Sequence, residues 1–211
     1  MSPMPVYAAV YDTLADWETG AATAHINNPA WQVEPGRYEV ITVGPTRDPI
    51  RTKGGSRIVP DLALDEIDPA HAAMLILPGA DTWVTGRLAP FAAAAGKFLA
   101  AGTPVAAICG ATFGLAGAGL LDTRRHTSNA AEFLAYSGYA GGQHFVARPA
   151  VTDDTGILVT ASGTAPFEFA REIFGVLGLY EPRILDAWFR VYDGQDPAAY
   201  AELEAYEAAR A

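Results

Sequence analysis

Apolar residues run along the chain in short unbroken blocks, each closed by glycine, proline or a polar residue. Val6–Tyr11, Tyr38–Val43, Ala72–Leu77, Thr103–Ile108 and Ile157–Ala161 are such blocks. They read as strands buried on both faces, since a half-exposed strand would alternate apolar and polar positions. Helical stretches lie between them. Asp16–Ile26 is stopped by Asn27-Asn28-Pro29, and the alanine-rich Pro90–Ala101 ends at Gly102. A glycine-spaced apolar helix follows Cys109 and ends near Gly119, and Ala130–Tyr136 is a further helix. In Thr164–Leu177 the residues Phe167, Ala170, Ile173, Phe174 and Leu177 recur at helical spacing. Arg51–Val59, with Gly54-Gly55 inside it, reads as a small hairpin. The tail Pro197–Arg210 reads as an acidic helix with Tyr200, Leu203 and Tyr206 on one side. Strand-then-helix repetition predicts an α/β fold with a mostly parallel central sheet covered on both faces. Ligands of such sheets bind beyond the carboxyl ends of the strands. That rule selects Tyr11–Glu18, Pro78–Asp81 and Cys109–Thr112.

Composition narrows the function classes. At 211 residues the chain suits one domain, and with half its residues hydrophobic and 18% charged it has the material for a core. A net charge of −10 argues against binding a phosphate backbone, so no nucleic-acid partner is expected. Met1–Val10 has no basic stretch before its apolar residues, and no apolar run approaches the roughly 18 residues of a membrane span. The expectation is a soluble cytoplasmic protein without membrane contact. The single cysteine, Cys109, excludes an intramolecular disulfide and a cysteine-based zinc cluster. The four histidines have no metal-ligand spacing and no phosphate-loop motif is present, so neither metal nor cofactor is expected.

Cys109 is the residue with the most chemistry to offer. Ala106-Ala107-Ile108-Cys109-Gly110-Ala111-Thr112 places it where a strand turns into a helix, a sharp turn that projects a side chain above the sheet. The helix start supplies free N–H groups and a positive dipole end, which favour thiolate over thiol. Backbone amides of Gly79-Ala80 are a second set of donors, so that an oxyanion could be held from two sides. A buried free cysteine is also a common packing residue. Its position after the strand, rather than within it, favours the reactive reading.

Four short motifs in order extend the case. Tyr11-Asp12-Thr13-Leu14-Ala15-Asp16-Trp17-Glu18, Leu77-Pro78-Gly79-Ala80, Ala107-Ile108-Cys109-Gly110-Ala111-Thr112 and Gly163-Thr164-Ala165-Pro166-Phe167-Glu168-Phe169-Ala170 resemble, together, the ThiJ/PfpI family of the class I glutamine amidotransferase-like superfamily. The resemblance spans roughly Val6 to Gly178. It implies a flavodoxin-like three-layer sandwich, one domain over residues 1–211 with residues 180–211 as a helical extension packed on it, and a homodimer. By position it makes Cys109 the nucleophile or redox sulfur and Glu18 the carboxyl beside it, with Gly79 and Gly110 as oxyanion-hole residues. A carboxyl against a thiolate in a desolvated pocket would have a raised pKa and could donate a hydrogen bond. The bland reading of Glu18 is a solvated residue in the first turn of a helix.

A general base is harder to find. Where the protease-like branch has a histidine after the cysteine, this chain has Gly110. Where other members close a short strand with histidine, the matching stretch Arg125-His126-Thr127-Ser128-Asn129 puts Asn129 in the slot and His126 three residues earlier. A shift of three on a strand reverses the face, so His126 should point away from Asn129. Asn129 is then a substrate-orienting candidate that cannot act as a base. His25, His71 and His144 read as surface or loop residues, although tertiary folding or a partner subunit could bring His144 near a site. Trp17 reads as core packing with pocket cover as the alternative, and Arg124-Arg125 as a solvated pair.

Two functions follow. One is a cysteine-dependent small-molecule enzyme, amidotransferase/amidase-like or glyoxalase/deglycase-like, as the family resemblance implies. The other is a non-catalytic redox sensor or stress-response protein in which the same cysteine is oxidised.

Overall fold

The computed structural model describes residues 2–210; the ends of the expected domain and extension, Met1 and Ala211, lie outside them. Its centre is a seven-stranded sheet of β1 (Met4–Ala9), β2 (Tyr38–Gly44), β5 (Leu62–Ala63), β6 (Met74–Leu77), β7 (Val105–Ile108), β8 (Ala150–Thr152) and β9 (Leu158–Ala161), in the order β5-β2-β1-β6-β7-β9-β8. Every pairing is parallel except β8 with β9. A separate two-stranded antiparallel hairpin joins β3 (Ile50–Arg51) to β4 (Arg57–Ile58), the expected small hairpin. This is the flavodoxin-like α/β sandwich with a mostly parallel sheet.

Side chains alternate across the sheet and so serve two cores. Leu75, Leu77, Val105 and Ala107 point into one, packed by Phe91, Ala95 and Phe98 of α2 (Ala89–Ala100) and by Ala111 and Leu115 of α3 (Gly110–Gly117). Met74, Ile76, Ala106 and Ile108 point into the other. There they meet α1 (Gly20–Asn27), α5 (Pro166–Leu177), α6 (Pro182–Tyr192) and α7 (Pro197–Ala208) through Ile26, Phe174, Trp188 and Leu203. The residues that these strands send into both cores are apolar, which explains why the strands lack alternation in sequence. The remaining helix, α4 (Ala131–Ala135), follows Asn129.

Several expected elements shift. Helix α1 starts at Gly20, not Asp16, because Leu14 forms an isolated bridge with Ala80 and the chain then turns through Trp17–Thr19. Arg125–Asn129 is not a strand; only His126 bridges, to Phe145. Tyr200 faces outward from α7 while Leu203 is buried.

His25 is a further correction, for it is buried and not a surface residue. Its ring sits among Trp31, Phe174, Trp188 and Tyr192. The Trp188 indole N–H donates to His25 Nε2 at 3.2 Å, and Tyr180 Oη lies 3.3 Å from Nδ1. An indole only donates, so Nε2 carries the lone pair and the neutral ring is the form that fits. Burial accordingly lowers the His25 pKa from 6.5. A group lowered on folding contributes stability that is full above 6.5 and is lost as the pH falls below it. We therefore expect His25→Phe to cost less stability at pH 5.5 than at pH 8, as denaturant unfolding of parent and variant at both pH values will show.

Candidate active site around Cys109

The three loops chosen from the strand ends meet at one place. Residues of Ala15–Glu18, Gly79–Asp81 and Cys109–Gly110, with Lys53, Val84, Asn129 and Phe133, line a cleft of about 360 Å³. Another cleft of about 320 Å³, lined by Trp83, Ala89, Phe113 and Gly114 among others, carries no titratable side chain.

Cys109 lies between β7 and α3 with φ 57° and ψ −123°. A non-glycine residue at positive φ is strained, at a cost of about 1–3 kcal/mol that its surroundings must hold in place. Three contacts do so: the Cys109 N–H donates to Ala161 O at 3.0 Å, and the Thr112 N–H and Oγ1–H donate to Cys109 O at 3.1 and 2.6 Å. Thr112 Oγ1 lies 2.7 Å from Ser128 Oγ, a pair of buried hydroxyls that ties the start of α3 to the residue before Asn129.

Asn129 bridges the sulfur to the opposite wall. Its Oδ1 accepts from the Gly163 N–H at 2.8 Å and its Nδ2 donates to Cys109 Sγ at 3.3 Å. The first contact assigns the amide orientation, so the donor faces the sulfur.

Glu18 is fully buried, in the turn ahead of α1 rather than on a solvated first helical turn. Its Oε2 accepts from the Gly79 N–H at 2.5 Å, while Oε1 is buried with no hydrogen-bonding partner among the described residues. A methyl group built on Gly163 would lie 2.8 Å from Sγ and 3.2 Å from Oε1, which locates both atoms against the same wall. Burial, only partly offset by the Gly79 N–H, raises the Glu18 pKa to about 7. Burial first and the Glu18 charge second push the Cys109 thiol up; the Asn129 amide and the Gly110 N–H oppose them. The expected preference for thiolate is thus outweighed, by burial first and by the Glu18 charge second.

The Gly79 amide is occupied by Glu18. The Ala80 N–H has no acceptor among the described residues, and its nitrogen lies 3.4 Å from where a Gly110 side chain would begin. Below the cleft, Tyr11 donates to Pro78 O, as does the Trp83 indole N–H at 2.9 Å, fixing the Pro78-Gly79 turn.

No histidine hydrogen-bonds to Cys109 or Glu18 among the described residues. His126 is buried away from the sulfur, with Nδ1 on Arg124 O (2.7 Å) and Nε2 on Tyr139 Oη (3.1 Å). His144 ends the short 3₁₀ turn Gly142–His144, and exposed His71 pairs with Asp68. Trp17 is not core packing: it is 54% exposed at the cleft, its indole N–H donating to Gly163 O at 2.9 Å. Arg124 is not simply solvated, since it pairs at 2.6 Å with the buried carboxylate of Asp153. Lys53 carries no signal in the sequence and reaches the cleft only through tertiary folding, as does the contact between Thr112 and Ser128.

The model of the DJ-1/PfpI family matches residues 4–175. The chain belongs to that family. Among its relatives is a Bacillus subtilis protein named uncharacterized protease YoaZ, 38% identical over 206 residues, covering 96% of this chain and 97% of the relative. A thiJ/pfpI family protein from Bacillus anthracis has the same fold with a TM-score of 0.89 at 37% identity, covering 98% of both chains. A DJ-1 superfamily protein from Agrobacterium tumefaciens superposes with a TM-score of 0.80 at 32% identity, over 91% of this chain and 98% of its own. No described helix is long and apolar enough to cross a membrane.

Proposed function

We propose that Cys109 is the nucleophile of a cysteine-dependent small-molecule enzyme, of amidotransferase/amidase-like or glyoxalase/deglycase-like type. The supporting observation is the buried, unpartnered Oε1 of Glu18 on the sulfur side of the cleft. A lone buried carboxyl oxygen costs stability, and such costs gather where a group must take and give a proton. A carboxyl with a pKa of about 7 is suited to doing both near neutral pH.

In this reading the S–H bond of Cys109 breaks and its proton passes to Glu18 Oε1. The sulfur electron pair forms a bond to a carbonyl-like carbon, whose π pair moves onto oxygen. The Gly110 N–H at the start of α3 and the Ala80 N–H, rather than that of Gly79, hold this oxyanion. Glu18 then returns its proton to the departing group or to the oxygen, and Asn129 Nδ2 steadies the thiolate. Strain at Cys109 keeps the sulfur projected into the cleft, as in a nucleophile elbow. Two relatives are named uncharacterized proteases, but a cleft of about 360 Å³ suits a small molecule. The reading includes a homodimer, as the family resemblance implies, and places it in the cytoplasm.

One observation favours the second reading, oxidation of Cys109 without turnover: no histidine contacts the pair among the described residues. A turnover panel of aldehydes, amides and isonitriles decides between the two. Activity in the parent that falls by about a thousandfold or more in Cys109→Ser supports the enzyme. No turnover, with low-dose peroxide adding oxygen to Cys109 by mass spectrometry, supports the sensor.

A further inference from the structure

Lys53 reaches the Cys109 cleft from the connection between β3 and β4. Four hydrogen bonds tie this hairpin to the loop that carries Glu18. Arg51 N–H donates to Asp12 Oδ1 (2.8 Å), Thr13 N–H to Arg51 O (2.8 Å), Lys53 N–H to Leu14 O (2.9 Å) and Gly54 N–H to Asp16 Oδ2 (2.7 Å). The Lys53 backbone is therefore held at the site. Its ammonium lies 2.7 Å from Asp81, and both side chains are exposed. Exposed pairs hold weakly, so the ammonium is free to exchange Asp81 for a ligand.

Among the described residues lining the cleft, Lys53 is the one cation. Asp81, its partner, is the exposed carboxylate of the same lining, and nearer the sulfur stand donors: the Gly110 and Ala80 amides, Asn129 Nδ2 and, once protonated, Glu18. The Trp17 indole, pinned to Gly163 O, supplies an apolar wall. The chain as a whole carries −10 and has two lysines, the other being on α2. An anion entering against that field needs a local cation.

We infer that the cleft selects small molecules bearing a carboxylate, with Lys53 pairing to that group and releasing Asp81 as it does so. This inference rests on the reading of Cys109 as the reacting sulfur and adds the substrate class to it.

Because Cys109 is the only thiol, alkylation by iodoacetate and by iodoacetamide tests the inference. Both reagents form a C–S bond and release iodide; one carries a carboxylate and the other a neutral amide. The ratio of their rate constants cancels the thiolate population. Lys53→Met should lower the iodoacetate-to-iodoacetamide ratio by about tenfold, Lys53→Arg should keep it, and Asp81→Asn should raise it. An unchanged ratio in Lys53→Met overturns the inference while leaving Cys109 reactive. If neither reagent modifies the folded protein, the Cys109 proposal fails, and the substrate class is decided separately by binding. In that case Cys109→Ser is titrated with benzoylformate and with its uncharged methyl ester while tryptophan emission is followed, Trp17→Phe serving to identify the part due to Trp17. Quenching by the acid alone, lost on adding Lys53→Met, supports carboxylate selection. Equal binding of acid and ester overturns it.

Discussion

Replacing Glu18 with glutamine should stabilise the protein at pH 8 by about 3 kcal/mol and remove its activity. The carboxyl moves from 4.5 to about 7 on folding because it is buried, and that difference corresponds to about 3 kcal/mol against the ionised form. The cost is absent below pH 4.5, grows as the pH rises towards 7, and is complete above it. The gain in Glu18→Gln should therefore be present at pH 8 and absent at pH 4. Glutamine keeps an acceptor for the Gly79 N–H, so this contact survives. It cannot accept the thiol proton, so turnover should fail where stability rises. Denaturant midpoints at both pH values, beside the turnover assay, check both halves. Equal stability of the two proteins at pH 8 would mean that Glu18 carries no burial cost.

Gly163→Ala should have the second large effect. Gly163 is absent from the residues with positive φ, so backbone conformation does not demand glycine there. Space does. An alanine Cβ would lie 2.8 Å from Cys109 Sγ and 2.9 Å from Cys109 Cβ. The sulfur could rotate, but the Cβ is fixed by the strained backbone at φ 57°. Gly79→Ala meets the same atoms from the other side, at 3.0 Å from Sγ and 2.8 Å from Cβ. Overpacking of this kind costs about 1–3 kcal/mol. Both variants should lose that much stability and, because the sulfur is displaced, at least a hundredfold in activity. Thermal unfolding with the turnover panel tests this, and a fully active, equally stable Gly163→Ala would contradict it.

The fold is legible where both faces of an element are buried: a short, unbroken apolar run such as Met74–Leu77 or Val105–Ile108 needs cover on both sides, which the centre of a parallel sheet provides. Short or mixed elements are not legible. Strand β8 is three residues between Pro149 and Asp153, too short for any periodicity. Helix α6 is the exception among mixed elements, for Ile184, Ala187 and Trp188 recur at helical spacing and Arg183, Asp186 and Arg190 fall on the opposite face, the pattern of a surface helix. Of the candidate site, Cys109 is readable because loop positions after parallel strands converge, and Glu18 only through its place in the segment that resembles the family's. The place of Asn129 follows from its slot in the motif. The burial of His25 is not legible, since its partners Trp188, Tyr180 and Phe174 lie about 150 residues away in the chain. Nor is the engagement of the Gly79 amide by Glu18, which depends on where a turn places one carboxyl oxygen.

The central claim is that Glu18 and Cys109 form one proton-sharing pair around an accessible sulfur. The pH dependence of iodoacetamide reaction with the folded parent and with Glu18→Gln tests it most directly. We predict modification of Cys109 in both, with the thiol titrating above its ordinary value in the parent. In Glu18→Gln it should titrate at lower pH, because the neighbouring charge is gone. Superimposable pH profiles, or no reaction in the folded parent, would contradict the account.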